Sequence, residues 1–394
     1  MVFKTPRYII ILQNDGKMMT KIRPVLVKSI PIIVSLAILV GLVFFVKLGS
    51  TTSEMGQTNY PKEFTKLSHP ANSGLPPEVS PNKNNSELSW EKIAEKVGPS
   101  VVSISVASVR TAGVGSGMIL DTRGRVLTNN HVVENFTKTG EIKIVLNDSS
   151  VYDAKIIKTD PTLDLAVLQM DSPPKNLVPV SFADSSFLKS GDPVIAFGSP
   201  LGLAGTVTTG IISAVNRPVT TKKTADNKNT SHIINALQTN AAINPGNSGG
   251  PLVDAAGNVV GVNTAIATDG VSQGNLGIGF AVPSETVNRA LPFLLEGREF
   301  PHGRLGISVS AGVAELDNGK FLGSEVEEIV PDSAANQAGL KTGDVIVSVG
   351  NVRVSSQDGL VAVVNSYSAG SKLDLKIVRD GSELTIGAIL RNVE

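Results

Sequence analysis

The 394-residue chain has no cysteine, few aromatic residues and no net charge. Without cysteine it can form no disulfide, zinc–thiolate site or iron–sulfur cluster, and it has no cysteine nucleophile. Its 35 Lys and Arg residues balance 35 Asp and Glu residues, so we expect no general electrostatic attraction to nucleic acid. No Walker A pattern is present, which argues against a nucleotide cofactor.

Hydrophobic residues make up 41% of the chain, alongside 38 Gly and 22 Pro. This composition is sufficient for hydrophobic cores and favours short strands joined by tight turns. The length allows about two or three domains.

Residues 29–46 form an uncharged apolar segment between Lys28 and Lys47. Eighteen residues approach the length that a helix needs to cross ~30 Å of hydrocarbon, so we predict a transmembrane signal anchor; a cleaved signal peptide is the alternative. Residues 1–28 carry six Lys and Arg residues against one acidic residue, which predicts a cytoplasmic N-terminus and an extracytoplasmic remainder. Residues 47–88 are rich in Pro, Ser, Thr and Asn and are predicted to be a flexible linker.

A mostly β region is predicted over residues 89–298, opened by a short helix around Trp90 and closed by a helix over Pro283–Leu295. About a dozen short strands separated by turn signals are typical of sandwiches or barrels. The predicted strands are Ser100–Val106, Gly117–Asp121, Arg125–Thr128, Glu141–Leu146, Ala154–Lys158, Leu165–Met170, Pro193–Gly198, Val207–Ala214, Ile233–Leu237, Pro251–Val253, Val259–Ala265 and Ile278–Val282.

Three stretches of this region carry the side chains that nucleophilic catalysis needs: TNNHVV with His131, DPTLDLAVL with Asp164, and NPGNSGGPL with Ser248. A serine nucleophile requires an exposed hydroxyl, a base that accepts its proton and an acid that orients the base. Taken singly, His131 could be a loop residue, Asp164 a turn cap and Ser248 an ordinary turn serine. Their joint occurrence in a β-rich, exported region favours a catalytic triad, which requires no metal.

These stretches, together with AFGSPLGL, GIISAVNR and IGFAVPS, resemble the HtrA (Deg) serine proteases in order and spacing. The resemblance covers about residues 89–394. It implies a chymotrypsin-like double β-barrel in which His131 is the general base, Asp164 its orienting acid and Ser248 the nucleophile. The backbone N–H groups of Gly246 and Ser248 would form the oxyanion hole.

The same resemblance implies that Ile243 lines the S1 pocket, and we expect small aliphatic P1 side chains. One departure is visible, because the family usually has Asp where this chain has Asn240. The change puts a regulatory ion pair at that position in doubt, and it leaves the triad intact.

The region 303–394 resembles a PDZ domain, notably in PDSAANQAGLKTGDVIVSVG. PDZ domains bind peptide C-termini as an added strand. The resemblance implies that backbone N–H groups at Leu305, Gly306 and Ile307 bind the terminal carboxylate. The side chains of Leu305 and Ile307, with Leu360 and Val364 of a helix predicted over Ser356–Tyr367, would form the pocket. Alternatively, these apolar residues simply fill a small core.

The favoured hypothesis is a membrane-anchored, ATP-independent serine endopeptidase that degrades unfolded or damaged exported proteins and is regulated by its PDZ domain. Family resemblance implies a homotrimer and no cofactor. The alternative is a non-catalytic PDZ scaffold or holding chaperone on a protease fold. A digestive protease specific for Lys or Arg conflicts with the predicted anchor, the PDZ region and the S1 residue.

Overall fold

The computed structural model describes residues 89–108, 112–136, 140–199, 205–221, 232–266, 277–317 and 319–392. The predicted N-terminal segment 1–28, anchor 29–46 and linker 47–88 lie outside the described residues. Within the described ranges, no helix is long and apolar enough to cross a membrane. The structure therefore bears on the predicted protease and PDZ regions.

Six antiparallel strands close into a first barrel in the order β1-β2-β3-β6-β5-β4. Helix α1, Trp90–Val97, precedes the barrel, and the Ser89 hydroxyl caps it by accepting from the N–H of Lys92. The one-turn helix α2, Asn130–Val133, follows β3. The strands are β1 Val101–Ala107, β2 Ala112–Ile119, β3 Arg125–Thr128, β4 Glu141–Val145, β5 Val151–Asp160 and β6 Leu165–Met170.

Six further strands close into a second barrel in the order β10-β11-β12-β9-β8-β7. Helix α3, Ser284–Leu295, ends this region and carries Pro292 within it. The strands are β7 Pro193–Gly198, β8 Thr206–Thr221, β9 His232–Thr239, β10 Pro251–Val253, β11 Val259–Ile266 and β12 Gly279–Pro283.

One hydrophobic cluster joins the two barrels. Leu127 and Leu165 of the first barrel and Phe197 and Val262 of the second belong to it, as does Leu294 of α3. These side chains are inaccessible to solvent. The barrels are therefore held in one arrangement, and the loops at their junction have a defined geometry.

The C-terminal region is a sheet in the order β13-β14-β15-β17-β18, with β16 paired to β15, and it contains two short helices. β13 lies at one edge of the sheet, next to helix α5. The elements are β13 Ile307–Leu316, β14 Gly319–Ile329, α4 Ala334–Ala338, β15 Val345–Val349, β16 Val352–Arg353, α5 Gln357–Asn365, β17 Lys372–Arg379 and β18 Ser382–Ile389.

The sequence of the long hairpin β13–β14 gives little indication of its two strands; from its pattern a single strand over Ser324–Val330 is expected, and none before it. The cross-strand pair Val313 and Leu322 is exposed, and Gly312 lies opposite Gly323, so the usual alternation of apolar and polar residues is weak. The predicted mixture of two β-barrels and a PDZ domain is otherwise confirmed.

Candidate active site

Asp164 lies in the turn between β5 and β6, where its backbone has a positive φ of 55°. The backbone carbonyl of Asp164 accepts hydrogen bonds from the Asn129 side chain at 2.8 Å and the Asn130 N–H at 3.2 Å. Its carboxylate lies 2.8 Å from Nδ1 of His131 and accepts from the His131 N–H at 3.0 Å. The residues before β6 and after β3 are therefore tied together, and the carboxylate fixes the imidazole orientation.

His131 and Asp164 differ in their exposure to solvent. The side chain of Asp164 is 7% exposed, whereas that of His131 is 44% exposed. Burial disfavours the imidazolium, but the charge and hydrogen bonding of Asp164, with a smaller contribution from Glu134, raise the pKa of His131 above its ordinary value. A half-exposed imidazole oriented by a buried carboxylate can act as a general base.

Thr264 on β11 connects this pair to Ser248. Its hydroxyl donates to Asp164, and its backbone carbonyl accepts from the Ser248 hydroxyl at 3.0 Å. Within the described residues, Ser248 makes no hydrogen bond to His131. Rotation about one side-chain torsion would redirect the serine hydroxyl, and catalytic hydrogen bonds often form only when substrate is bound.

The loop around Ser248 is held by backbone and side-chain hydrogen bonds. The Ser116 hydroxyl donates to the Gly246 carbonyl at 2.5 Å and accepts from the Ser199 N–H at 2.8 Å. The Ser116 N–H donates to the Ser248 carbonyl at 2.8 Å. In the part of the chain that the structure describes, the N–H groups of Gly246 and Ser248 donate no backbone hydrogen bond. Neither N–H is occupied by a backbone acceptor there, and the oxyanion hole stays a prediction.

Gly249, directly after Ser248, has a φ of 86°, and a Cβ there would overlap the Ser116 carbonyl oxygen and the Thr128 hydroxyl. Only glycine permits this close approach of two backbones. Asn247 is buried, and its side chain donates to the Ala242 carbonyl at 3.3 Å, which agrees with a role in shaping the loop.

Ile243, the predicted S1 residue, is 1% exposed and belongs to the core of the second barrel. Its side chain packs against Gly279 on β12, and its place in an S1 pocket stays a prediction. The side chain of Asn240 accepts a hydrogen bond from the Ile211 N–H at 2.8 Å. This bond uses the amide oxygen and gives Asn240 a local structural role.

The predicted peptide-binding residues meet at the start of β13. Gly306 has a φ of 75°, and its carbonyl accepts from the Val330 N–H at 2.9 Å. Leu305, Leu360 and Val364 are buried in the core of the sheet, and Ile307 is partly buried. Most of these side chains thus contribute to the core, and the edge of β13 beside α5 remains the place where a strand could add.

Sequence reasoning missed Thr264, Ser116 and Asn129. The consecutive polar residues Asn263 and Thr264 lie inside an otherwise apolar strand and are both buried, and this break in the pattern is a signal for the first of them. Ser116 lies in a glycine-rich strand whose sequence gives no indication of its partners.

Two closed six-stranded barrels with His, Asp and Ser at their junction define a serine peptidase of the trypsin type. The family model for a trypsin-like peptidase domain matches residues 115–262, and that for a PDZ domain matches residues 303–390.

Similarity to solved structures identifies the family of serine peptidases to which the chain belongs. The chain is 32% identical to the solved HtrA-type protease AlgW with tripeptide, covering 78% of this chain and 98% of that one at a TM-score of 0.58. A serine endoprotease from Yersinia pestis is 29% identical at a TM-score of 0.51, with the same coverage. The chain belongs to the HtrA-type serine proteases.

The chain is also similar to serine proteases from two further bacteria. Serine protease PepD of Mycobacterium tuberculosis is 40% identical over 306 residues, which cover 75% of this chain and 64% of PepD. Periplasmic serine endoprotease DegP of Escherichia coli K12 is 42% identical over 284 residues, which cover 71% of this chain and 57% of DegP. The chain thus spans less than two thirds of the length of both relatives.

Proposed function

We propose that this protein is an ATP-independent serine endopeptidase that degrades unfolded or damaged exported proteins and is regulated by its PDZ domain. The observation that carries the proposal is the shared carboxylate of Asp164, which faces the His131 imidazole and accepts from Thr264 beside Ser248. A non-catalytic scaffold would not require this arrangement, whereas nucleophilic catalysis does.

The reaction begins when the Ser248 hydroxyl turns from the Thr264 carbonyl to Nε2 of His131 and attacks the scissile carbonyl. His131 takes the serine proton, and Asp164 stabilises the imidazolium. The N–H groups of Gly246 and Ser248 bind the oxyanion, and losing one such donor typically costs ~2.7–4 kcal/mol of transition-state stabilisation. His131 then protonates the leaving amine, and water hydrolyses the acyl-enzyme by the same steps.

An extended chain with small aliphatic P1 side chains suits the proposed cleft. Ile243 packs against Gly279 and carries no charge that would attract Lys or Arg. Unfolded proteins supply extended backbone and exposed apolar side chains, so they are the proposed substrate class.

The PDZ domain is proposed to bind C-terminal peptides with apolar final residues. Among the described strands, β13 pairs on one side only, which leaves its other side beside α5 for an added strand, and the loop at Leu305–Ile307 precedes it. A related AlgW structure is described with a tripeptide. We place the domain boundaries at 89–298 and 303–394.

We also propose that residues 29–46 anchor the protein in the cell membrane, with 47–88 as a linker and the protease outside the cytoplasm. The cationic segment 1–28 supports this orientation, and DegP is named a periplasmic protease. A homotrimer is proposed from the family resemblance. Protease added to intact cells or spheroplasts should digest the region 89–394; its protection until lysis would refute this topology.

The central test is reaction of the purified protein with a fluorophosphonate probe. Wild type should be labelled and should cleave unfolded casein, whereas Ser248→Ala should do neither and should keep its fold and peptide binding. Casein cleavage by Ser248→Ala above a few per cent of wild type would reject the nucleophile. An unlabelled, inactive wild type that still prevents aggregation would favour the holding chaperone.

A further inference from the structure

His302 lies at the junction of the protease and PDZ regions and contacts both. Its Nε2 is 3.0 Å and 3.1 Å from the two carboxylate oxygens of Asp160, at the end of β5. Its Nδ1 is 2.9 Å from the backbone carbonyl oxygen of Asn365, at the end of α5. Carboxylate and carbonyl oxygens only accept hydrogen bonds, so both ring nitrogens must carry a proton for both contacts to form. The geometry therefore selects the imidazolium form.

Asp160 also belongs to the turn that leads to the catalytic acid. It is 4% exposed, and its Oδ1 accepts a hydrogen bond from the Leu163 N–H at 3.0 Å. Leu163 is directly followed by Asp164, whose φ of 55° is sparsely populated for residues other than glycine. A turn that holds such a conformation needs fixed contacts, and the Asp160 carboxylate supplies one of them.

The other partner of His302 ends the helix that borders the proposed peptide groove. Carbonyls at a helix C-terminus attract a cation. The same end of α5 is docked by a second contact: the guanidinium of Arg289 on α3 donates to the Ser366 carbonyl at 3.3 Å and stacks 4.0 Å from the centre of the Tyr367 ring. The end of α5 is thus contacted at two places by cationic side chains, His302 and Arg289.

The charges around His302 come from both sides of the junction. Burial disfavours its imidazolium and Arg304 opposes it, but Asp160 and the Asn365 carbonyl raise the pKa of His302 above its ordinary value. The Phe300 ring packs nearly perpendicular to the imidazole, with the two ring centroids 4.9 Å apart. A cleft of about 590 Å³ opens beside it, bordered by the ion pair of Lys158 and Glu299. The cleft gives protons access to the junction.

We infer that His302 is a positioning residue for the catalytic acid: it fixes Asp160, and through Asp160 the turn of Asp164, when the PDZ domain is docked. This inference rests on the proposed function. It connects the two regions by one short path, from the end of α5 through His302 and Asp160 to the backbone just before Asp164. Displacing the end of α5 would withdraw the cation from a buried carboxylate and loosen that turn.

The coupling gives the two histidines opposite pH requirements. His131 must lose its proton to act as a base, so activity rises with pH on the acid side. Neutral His302 has one N–H and cannot donate to both partners, so activity falls again as pH rises through the pKa of His302. Stability depends on pH in the same direction. The contribution of His302 to the free energy of unfolding is complete below its unfolded pKa of about 6.5, and it is lost as pH rises through the higher pKa of the folded state.

The first experiment compares the full-length protein with His302→Gln on a small chromogenic substrate. Glutamine keeps a donor and cannot carry the charge. We expect kcat to fall roughly two- to thirtyfold, the range for residues that transmit coupling, with KM unchanged and the alkaline decline of activity removed. Glu299→Gln is the matched control, because it removes a charge from the same cleft at a side chain that is 86% exposed. The control should keep the wild-type pH profile.

A second variant, Asp160→Asn, removes the other charge of the pair. If the two residues act through each other, the double variant should lose no more kcat than the more affected single variant. The inference would be overturned if the kcat of the double variant fell by the product of the two single-variant factors. It would also be overturned if His302→Gln kept the alkaline decline of activity.

A readout independent of activity is ring ¹⁵N NMR of full-length Ser248→Ala, with His302→Gln in the same background to assign the signal. Both nitrogens of His302 should be protonated at pH 6, and Asp160→Asn should lower its pKa. A neutral His302 at pH 6 would reject the inference even if the protease is active. Failure of wild type to react with fluorophosphonate would instead reject the proposed function, and the NMR result would still decide the junction.

Discussion

The hydroxyl of Thr264 donates to the carboxylate of Asp164 across the interface of the two barrels. Asp164 precedes β6 of the first barrel, and Thr264 belongs to β11 of the second. Because the Thr264 carbonyl also accepts from Ser248, one residue contacts both the proposed orienting acid, Asp164, and the proposed nucleophile, Ser248. Thr264 therefore helps to set the relative positions of these two side chains.

Thr264→Val removes the hydroxyl and keeps the shape of the side chain. A hydrogen bond to a charged group contributes ~1.5–3 kcal/mol, so kcat should fall about ten- to a hundredfold. The less stabilised carboxylate should also attract the imidazolium more strongly, which moves the acid limb of the pH profile upward. Thr264→Ser is the control and should retain most activity. Steady-state kinetics between pH 5 and 9 measure both effects, and wild-type behaviour of the valine variant would contradict them.

Asp164→Asn tests the pKa of His131. Burial alone would lower that pKa, and Asp164 is the main cause of its increase, so the variant should show a lower pKa. Activity should nevertheless fall about 10⁴-fold, as in related triads, because the amide no longer fixes the correct tautomer. NMR titration of His131 gives the pKa and single-turnover kinetics the rate. An unchanged or higher pKa would exclude the assigned cause.

The same pair makes stability depend on pH. A folded pKa of His131 above about 6.5 means that its stabilising contribution is complete below the unfolded value and disappears as pH rises through the folded one. The difference in free energy of unfolding between wild type and Asp164→Asn should therefore shrink from pH 6 to pH 9. Urea unfolding of the Ser248→Ala background measures it without self-cleavage.

Gly249→Ala tests the close packing behind the nucleophile. The substitution adds the strain of a positive φ, about 1–2 kcal/mol, and an overlap with Ser116 and Thr128. Gly257→Ala is the matched control, since its φ is 77° and its Cβ would lie 3.2 Å from the flexible Lys96 side chain. We expect Gly249→Ala to lose activity and more stability than the control. Equal losses in thermal unfolding would show that only backbone strain matters.

Gly306→Ala tests the peptide-binding loop. Its φ of 75° and the contact of its missing Cβ with Ser333 leave no room for a side chain, so the loop should shift. Affinity for a peptide ending in Val should fall at least about tenfold, and a C-terminally amidated peptide should bind weakly to wild type. Gly339→Ala, at a φ of 79° with open space around it, is the control. Calorimetric titration measures the affinities; equal binding of both peptides would refute carboxylate recognition.

Deletion of residues 303–394 should abolish the response of the protease to such peptides. Removal of this region also removes His302's partner Asn365 and the docking partners of Arg289. Basal cleavage of small substrates should persist at a reduced rate. Equal peptide stimulation of the truncated and complete enzymes would exclude regulation by the PDZ domain.

Sequence patterns predicted the strands best where short apolar runs lie between turns. Arg125–Thr128, Leu165–Met170, Pro193–Gly198 and Pro251–Val253 have the predicted bounds. β8 extends to Thr221, well past the predicted Ala214, because its pairing with β9 continues through register shifts that disturb the alternation of residues.

The sequence predicted those residues of the candidate site that lie in short local motifs. His131, Asp164 and Ser248 each lie in a recognisable stretch, but their links to Thr264 and Ser116 depend on contacts between distant strands. His302 and Asp160 are 142 residues apart, and neither has a local pattern that indicates the other. Periodicity shows which face of an element is buried and does not show which element covers it.

The division of catalytic groups between two barrels has a consequence for biosynthesis. If His131, Asp164 and Ser248 act as proposed, the first barrel alone supplies the base and its orienting acid without a nucleophile, and the second barrel alone supplies the nucleophile without a base. Proteolytic activity therefore requires that both barrels fold and pack against each other through their shared core. A newly synthesised copy is therefore inactive as a protease until its own two barrels have folded.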